Sequence, residues 1–447
     1  MHYEGQFFLS NFLDGRGLFQ KIFSTHFNNW DCYQAREVSF LFGLFDSQAI
    51  VLGARLGVSF LHSATFVVSI FVTAVLLWRL IPRIAPRLTT TDSGLLVSLM
   101  LVTPAVELSS YYYRPAKALV AVLLMMASWQ VFRLTSDAQG RSSRRDAALL
   151  LVCAILMALS DPQGVFFILV LIAVIAGFAG FRARPVRLAH LSLFSALVAY
   201  TMWRIAIGPK LSLIADGFEP DSTYERVPVR YTFGQLHHYT SALSLWLDNI
   251  GHFFGNSGVI GGAACLILAG AAYWIRPAGP KLQKRRSFVV LLVVAGMLFA
   301  FYVAMYAKLT SITWAESRLV YYWMPSMVVI AIIASVAIDS SFAVSRRLRT
   351  PVTLALGLMI CTSVLSLPRL AEVVTNGEQR IMIAESGRVR DCMGSAKGSI
   401  AGYQLTAAGA QACSAVRMAA FGSAGPGPAI TAAVPNPLLW CRRAQPR

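Results

Sequence analysis

The chain has 447 residues, of which 56% are hydrophobic and 13% are charged, and its mean hydropathy is +0.59. Soluble globular domains carry about 25% charged residues, so this composition indicates an integral membrane protein. The net charge of +18 does not indicate a nucleic-acid-binding protein, because the Lys and Arg residues form short clusters between apolar blocks instead of a basic face interleaved with aromatic residues. The seven cysteines include no CxxC pair, so no zinc site is predicted.

The first segment, residues 1–57, contains neither a secretory signal peptide nor an apolar block of membrane-spanning length. We expect this segment to be external. It is either a short translocated tail or a segment preceded by a first helix that is missing from the chain, and we favour the missing helix.

The densest polar stretch of this segment, WDCYQARE, contains Asp31, Arg36 and Glu37. If a helix covers residues 31–46, Glu37 and Asp46 point in opposite directions and cannot share one small site. A surface helix with solvated charges is one interpretation. The functional alternative is a carboxylate that takes a proton from a hydroxyl group.

Residues 58–367 are predicted to form an all-α, polytopic transmembrane bundle of about ten spans, or eleven with a missing first helix. Each apolar block has about the length that a helix needs to cross ~30 Å of hydrocarbon. The connections between the blocks alternate without a break between Arg/Lys-rich and Arg/Lys-poor, and the positive-inside rule assigns the basic set to the cytoplasm. The predicted spans are 58–80, 94–110, 116–133, 146–160, 163–181, 188–207, 258–275, 287–306, 319–339 and 350–367.

Two short external turns carry further candidate residues. The first, YYYRPAK, contains Tyr113, Arg114 and Lys117. The tyrosines are typical of an interfacial belt, and the two cations either snorkel to the interface or bind a lipid phosphate. The second, SDPQG, holds Asp161 and Gln163 in a tight turn, although Asp before Pro is also ordinary turn chemistry.

A long external connection over residues 208–257 ends in the amphipathic stretch SALSLWLDNIGHFFG. This pattern predicts a surface helix in the outer interface, either as an anchor only or as a gate or guide for a lipid substrate. A later external turn, ESRLVYYWMP, brings Arg318 and Tyr322 to the start of a span. A local Glu316–Arg318 pair and an aromatic belt are the alternative explanations.

The C-terminal tail, residues 368–447, is predicted to be external. After about Thr406 it is rich in Ala, Gly and Pro, and a stretch such as GSAGPGPAITAAVPNP cannot build a packed core, so we expect the tail to be partly disordered. Its cysteines and Cys32 all lie outside in this topology, where disulfides can form, but their pairing cannot be read from the sequence.

Four polar stretches share one predicted location, the external mouths of apolar helices: WDCYQARE, YYYRPAK, SDPQG and ESRLVYYWMP. In topology and loop chemistry, residues 20–365 resemble the GT-C class of polytopic membrane glycosyltransferases, which use polyprenyl-phosphate-linked sugars. The resemblance implies a general base in the first external loop, either Asp31 or Glu37. It also implies that Arg114, Lys117 or Arg318 neutralises the leaving lipid phosphate. The substrate-binding set that we predict is Arg36, Tyr113, Arg114, Lys117, Asp161, Gln163, Arg318 and Tyr322.

The implied partners are membrane lipid, a polyprenyl-phosphate sugar as donor, and a glycan, lipid or protein acceptor, with no nucleic acid. No cofactor and no metal ligands are assigned, and a divalent metal is left open. The competing hypothesis is a transporter, flippase or polymerase of lipid-linked sugars, which would place charges in the middle of spans or break its helices with Gly and Pro. A non-enzymatic membrane protein is the third hypothesis. The composition fits the bacterial inner membrane.

Overall fold

The computed structural model describes residues 9–23, 35–58, 63–106, 115–136, 143–178, 183–216, 236–275, 281–309, 323–374 and 387–423. Within these ranges every regular element is helical, which confirms the all-α prediction for this part of the chain. The α-helices are α1 Leu18–Phe23, α2 Glu37–Arg55, α3 Ala64–Ile84, α4 Thr90–Leu101, α5 Pro115–Ser136, α6 Ser143–Ser160, α7 Gln163–Phe178, α8 Arg184–Met202, α9 Gly208–Asp216, α10 Leu236–Phe253, α11 Gly258–Ile275, α12 Lys281–Leu309, α13 Met324–Val344, α14 Arg349–Val374 and α15 Ala407–Phe421.

Each of the ten predicted apolar blocks overlaps one of the helices between α3 and α14. Six helices in the described ranges are long and apolar enough to cross a membrane, or seven if α10 and α11, which meet at a bend of 79°, form one broken span. Three further apolar helices are shorter, so the count of ten spans stays a prediction. The block 94–110 contains one of these shorter helices, α4, which stops at Leu101. Pro104 follows three residues later, and a proline cannot continue the hydrogen-bond ladder.

Arginine–aspartate pairs join the helices at one end of the bundle. Asp339 at the end of α13 binds Arg87 at 3.0 Å, and Asp146 in the first turn of α6 lies 3.2 Å from Arg133 at the end of α5. Asp92, which caps the start of α4, accepts a hydrogen bond of 2.7 Å from Thr353 in α14. These contacts lie where the helices lead into the Arg/Lys-rich connections of the sequence. We therefore call this end of the bundle the Arg-rich end.

The helix α2 lies where the sequence predicted an external segment, although its length and apolarity would also suit a membrane span. Its first residue, Glu37, contacts Trp203, which follows the end of α8, and its middle residue, Asp46, contacts Ser63 and Thr65 at the start of α3. Both contacts are at the end of the bundle opposite the Arg-rich end. These are the contacts of a helix that lies across the end opposite the Arg-rich end. The external location of residues 1–57 stays a prediction.

A small C-terminal lobe, residues 387–423, packs on α2. A disulfide joins Cys392 to Cys413, and both cysteines are fully buried with Leu9, Ile50 and Val416 in a separate apolar core. Within the tail that the sequence predicted to be partly disordered, Ala407–Phe421 is a helix. The reason is that its alanines are small enough to pack closely against the disulfide and α2. Most of the Gly/Pro-rich stretch that follows lies outside the described residues.

Candidate functional site

A buried ionic cluster occupies the end of the bundle that is opposite the Arg-rich end. Lys117 Nζ lies 2.8 Å from Asp161 Oδ2, and Arg36 Nη2 lies 3.5 Å from the same oxygen. The three side chains are 9%, 2% and 3% exposed for Arg36, Lys117 and Asp161 respectively. Two positively charged side chains thus share one carboxylate oxygen. Removing an ion from water costs several kcal/mol, so buried charges of this kind depend on close pairing.

Local sequence explains how each member reaches the cluster. Pro115 is the first residue of α5, a position that proline favours, and it places Lys117 in the first turn. The turn between α6 and α7 is held by Asp161 itself, which accepts a hydrogen bond of 3.0 Å from the Gln163 N–H. The predicted turn chemistry and the ion pair are therefore both present at Asp161.

Backbone strain accompanies the third member, Arg36. The residue before it, Ala35, is buried and has φ of +48°. This left-handed conformation costs a non-glycine residue about 1–2 kcal/mol. Such strain persists where the surrounding structure enforces it, often at functional sites.

The charge state of Asp161 follows from its neighbours. Burial alone would raise the pKa of Asp161. The positive charges of Lys117 and Arg36, together with the hydrogen bonds from Lys117 and from the Gln163 N–H, instead hold that pKa well below its ordinary value. Asp161 is therefore ionised at neutral pH, and it orients the two cations instead of acting as a proton donor.

Glu37 lies beside the cluster and has its own partner. Its Oε1 accepts a hydrogen bond of 2.9 Å from Trp203 Nε1. Trp203 opens a π-helical turn, Trp203–Ile207, an uncommon geometry that is frequent at functional sites. In the same region Arg204 donates to the Tyr200 hydroxyl at 3.0 Å, and that hydroxyl is close enough to Asp161 and Arg36 for their charges to act on it.

Tyr200, Trp203 and Arg204 were not predicted from the sequence as site residues. They occupy the last turns of the block 188–207, whose composition reads as the end of an ordinary apolar span. The spacing of an aromatic hydroxyl, an indole and an arginine over five residues at a helix end is the signal that could have found them.

Asp46 is separate from this cluster, as its helical phase relative to Glu37 predicts. Its Oδ1 accepts a hydrogen bond of 2.8 Å from the Thr65 N–H, and its Oδ2 accepts one from the Ser63 hydroxyl. The Ser63 hydroxyl in turn caps α3 by accepting from the Phe66 N–H at 3.0 Å. Asp46 thus joins α2 to the start of α3, which is a structural role.

Among the predicted site residues, the structure brings Arg36, Glu37, Lys117, Asp161 and Gln163 together. The others lie outside the described residues: Asp31, Tyr113, Arg114, Arg318 and Tyr322. In the part of the chain that is described, no group of three or more His, Cys, Asp or Glu is placed to hold a metal ion.

An apolar cavity of about 50 Å³ lies between α10, α11, α12 and α13, with Trp246, Ile250, Leu298 and Ile330 in its wall. An engineered cavity that binds benzene is about 150 Å³. The cavity is therefore too small for an isoprenoid chain.

Comparison with protein-family models, with curated proteins and with solved structures found no match.

Proposed function

We propose that the protein is a membrane glycosyltransferase that moves a sugar from a polyprenyl-phosphate donor to an acceptor hydroxyl at the external face. One observation carries the proposal. The cluster of Arg36, Lys117 and Asp161 brings two cations together in a buried position at the mouths of apolar helices. A lipid phosphate enters from the membrane and brings the negative charge that such a cluster binds.

The proposed reaction assigns a role to each part of the site. The acceptor oxygen attacks the anomeric carbon, and the bond from that carbon to the phosphate oxygen breaks, so its electron pair leaves on the lipid phosphate. Arg36 and Lys117 stabilise the negative charge that develops on the leaving phosphate. Asp161 holds both cations in place, so they need no reorganisation during the reaction.

The proton of the acceptor hydroxyl goes to a carboxylate base. Glu37 fits this role because it begins α2 beside the cationic cluster, and its hydrogen bond from Trp203 fixes one carboxylate oxygen. Asp31 remains the other candidate from the sequence.

The distribution of buried charge favours an enzyme over a transporter. Within the described parts of α3 to α14, the buried Asp and Lys residues are near helix ends and are absent from the middle of the spans: Asp92, Lys117, Asp146 and Asp339. A transporter of charged lipid-linked sugars would place such groups near the midplane.

The test is a transfer assay in membranes that contain the protein. Polyprenyl-phosphate sugars with a radiolabelled glycosyl group are supplied, and transfer of label is compared among wild type, Glu37→Gln and Lys117→Met. We expect both variants to lose at least about 100-fold in rate, as for a removed base or electrostatic stabiliser. Asp391→Asn, which changes an exposed carboxylate of the C-terminal lobe, is the control and should match wild type.

Wild-type rates in both variants would overturn the proposal. If the wild-type protein transfers no label but moves the labelled lipid between the leaflets, the flippase hypothesis replaces it.

A further inference from the structure

A second polar cluster lies at the same end of the bundle as the ionic cluster, where α10, α12 and α13 meet. Asp248 and His252 of α10 are paired, with 3.5 Å between Oδ2 and Nε2. The charge of Asp248 also acts on the hydroxyl of Tyr302 in α12. The Tyr302 ring stacks on Trp323, which precedes α13, with ring centres 3.4 Å apart.

Several polar atoms of this cluster are buried but lack a hydrogen-bond partner among the described residues. They are Asn249 Oδ1, His252 Nδ1, Tyr302 Oη and Trp323 Nε1. The corresponding residues are only 2%, 7%, 1% and 0% exposed. Leaving such a group unpaired is unfavourable, and native proteins contain few of them. Asp248 pairs with His252 and acts on Tyr302, whose ring stacks on Trp323, so His252, Tyr302 and Trp323 lie around one carboxylate, and Asn249 is its neighbour in α10. A bound molecule would supply the missing hydrogen bonds.

The chemistry of these atoms defines that partner. An indole N–H only donates, so the partner must present an acceptor, whereas the amide oxygen of Asn249 only accepts, so the partner must also present a donor. A hydroxyl group does both. No Lys or Arg among the described residues pairs with Asp248, which disfavours an anion, and Asp248 can accept from a further hydroxyl.

Asp248 is the most exposed member of the cluster, with 34% of its side chain exposed. A row of aromatic rings connects the second cluster to the ionic cluster. Trp323 contacts Phe301 at 5.5 Å, and Phe301 stacks on Phe166 at 4.6 Å. Phe166 is one turn beyond Gln163 in α7, so both clusters lie at the same end of the bundle.

We propose that this second cluster is a binding site for a neutral, hydroxyl-rich ligand of the sugar class. The inference rests on the unpaired buried donors and acceptors, and it stands whether or not the ionic cluster transfers a sugar. If transfer does occur, the second cluster is placed to hold the acceptor.

The test is a binding experiment, so that its failure is distinct from failure of the transfer assay. The purified protein in lipid nanodiscs, free of sugar-based detergent, is titrated with methyl β-glucopyranoside, and the unfolding temperature is followed. Sugars also stabilise proteins non-specifically by exclusion from their surface. The diagnostic quantity is therefore the saturable part of the shift, compared between wild type and Tyr302→Phe.

Tyr302→Phe removes only an unpaired hydroxyl, so the ligand-free variant should fold and be at least as stable as wild type. We expect its affinity for the glycoside to fall about tenfold, the loss of one good hydrogen bond. Tyr403→Phe, which removes a hydroxyl in the C-terminal lobe, should bind as wild type does.

Three results would overturn the proposal. The first is a shift that does not saturate and is equal in wild type and Tyr302→Phe. The second is an equal saturable shift with N-methylacetamide, which would indicate an amide ligand. The third is loss of glycoside binding in Lys117→Met with normal binding in Tyr302→Phe, which would place the sugar at the ionic cluster alone.

Discussion

Asp161 is the residue whose charge holds the ionic cluster together, and its lowered pKa predicts a pH dependence. A carboxyl whose pKa is lower in the folded state contributes stability above its unfolded pKa of about 4 and loses that contribution as the pH falls toward the lowered folded value. We therefore expect the stabilisation from Asp161 to be constant from neutral pH to about pH 4 and to decline only below it.

The measurement is the unfolding temperature in nanodiscs against pH, for wild type and Asp161→Asn. At neutral pH the variant should be less stable by about 3–5 kcal/mol, because Lys117 and Arg36 become buried without their counter-charge. The difference should shrink in acid. A difference that grows in acid would show that Asp161 is protonated in the folded protein.

Ala35 supplies a second prediction at this scale. Replacing it by glycine relieves strain of about 1–2 kcal/mol but removes a buried methyl group worth about 0.8 kcal/mol, so the stability should change little. Ala116→Gly, in the helix α5, loses a buried methyl and about 1 kcal/mol of helix propensity, and it should be clearly destabilising. Equal destabilisation by both changes, measured by thermal unfolding, would mean that Ala35 is not strained.

The sequence was informative about residues whose chemistry is local. The sequence shows Asp161 in SDPQG and Lys117 after Pro115 as polar residues at helix ends. In the structure they form an ion pair. Trp203 and Tyr200 were missed, because the sequence offers only their spacing at a helix end and their role depends on α8 ending beside α2. That contact is between residues 166 positions apart in the chain.

At the scale of elements, the close approach of α10 and α11 depends on glycine. A Cβ added at Gly262 would lie 1.8 Å from the Leu247 carbonyl oxygen, so even alanine requires the helices to separate. We expect Gly262→Ala to lower the stability by about 1–3 kcal/mol. Gly270→Ala in the same helix meets nothing within 4 Å and should gain up to about 1 kcal/mol of helix propensity. Chemical unfolding of both variants tests this contrast, and destabilisation by both would contradict it.

The helices themselves could be predicted because apolar length is a local property of the sequence. Their pairing could not, and α10 illustrates the limit. Its amphipathic pattern predicted a surface helix, whereas the structure shows its buried residues Trp246, Ile250 and Phe253 in the main core of the bundle. A pattern reports which face is apolar but not whether lipid or protein covers that face.

At the scale of the whole molecule, the C-terminal lobe connects distant parts of the chain. Arg55 at the end of α2 donates to the carbonyl oxygens of Ala419 and Ala420 at 2.7 and 3.1 Å. The disulfide closes a sequence separation of 21 residues within the lobe. Disulfides persist in oxidising compartments, which supports the prediction that the opposite end of the bundle is external.

Loss of this disulfide should loosen the lobe. We expect the double substitution Cys392→Ser with Cys413→Ser to cost about 3 kcal/mol and to make residues 387–423 the first site of proteolytic cleavage. Cys361→Ser changes a free, exposed cysteine of α14 and is the control. Unchanged protease resistance of the double variant would show that packing on α2 alone holds the lobe.

The central claim is that the cluster of Arg36, Lys117 and Asp161 binds a lipid phosphate, and equilibrium binding tests it most directly. Polyprenyl phosphate is titrated into nanodiscs that contain wild type, Lys117→Met or the control Asp391→Asn, with the unphosphorylated polyprenol as the reference ligand. We predict that wild type and the control prefer the phosphate over the alcohol, and that Lys117→Met loses at least about tenfold in affinity for the phosphate only. Equal affinity of wild type for the two lipids, or an unchanged preference in Lys117→Met, would contradict the claim.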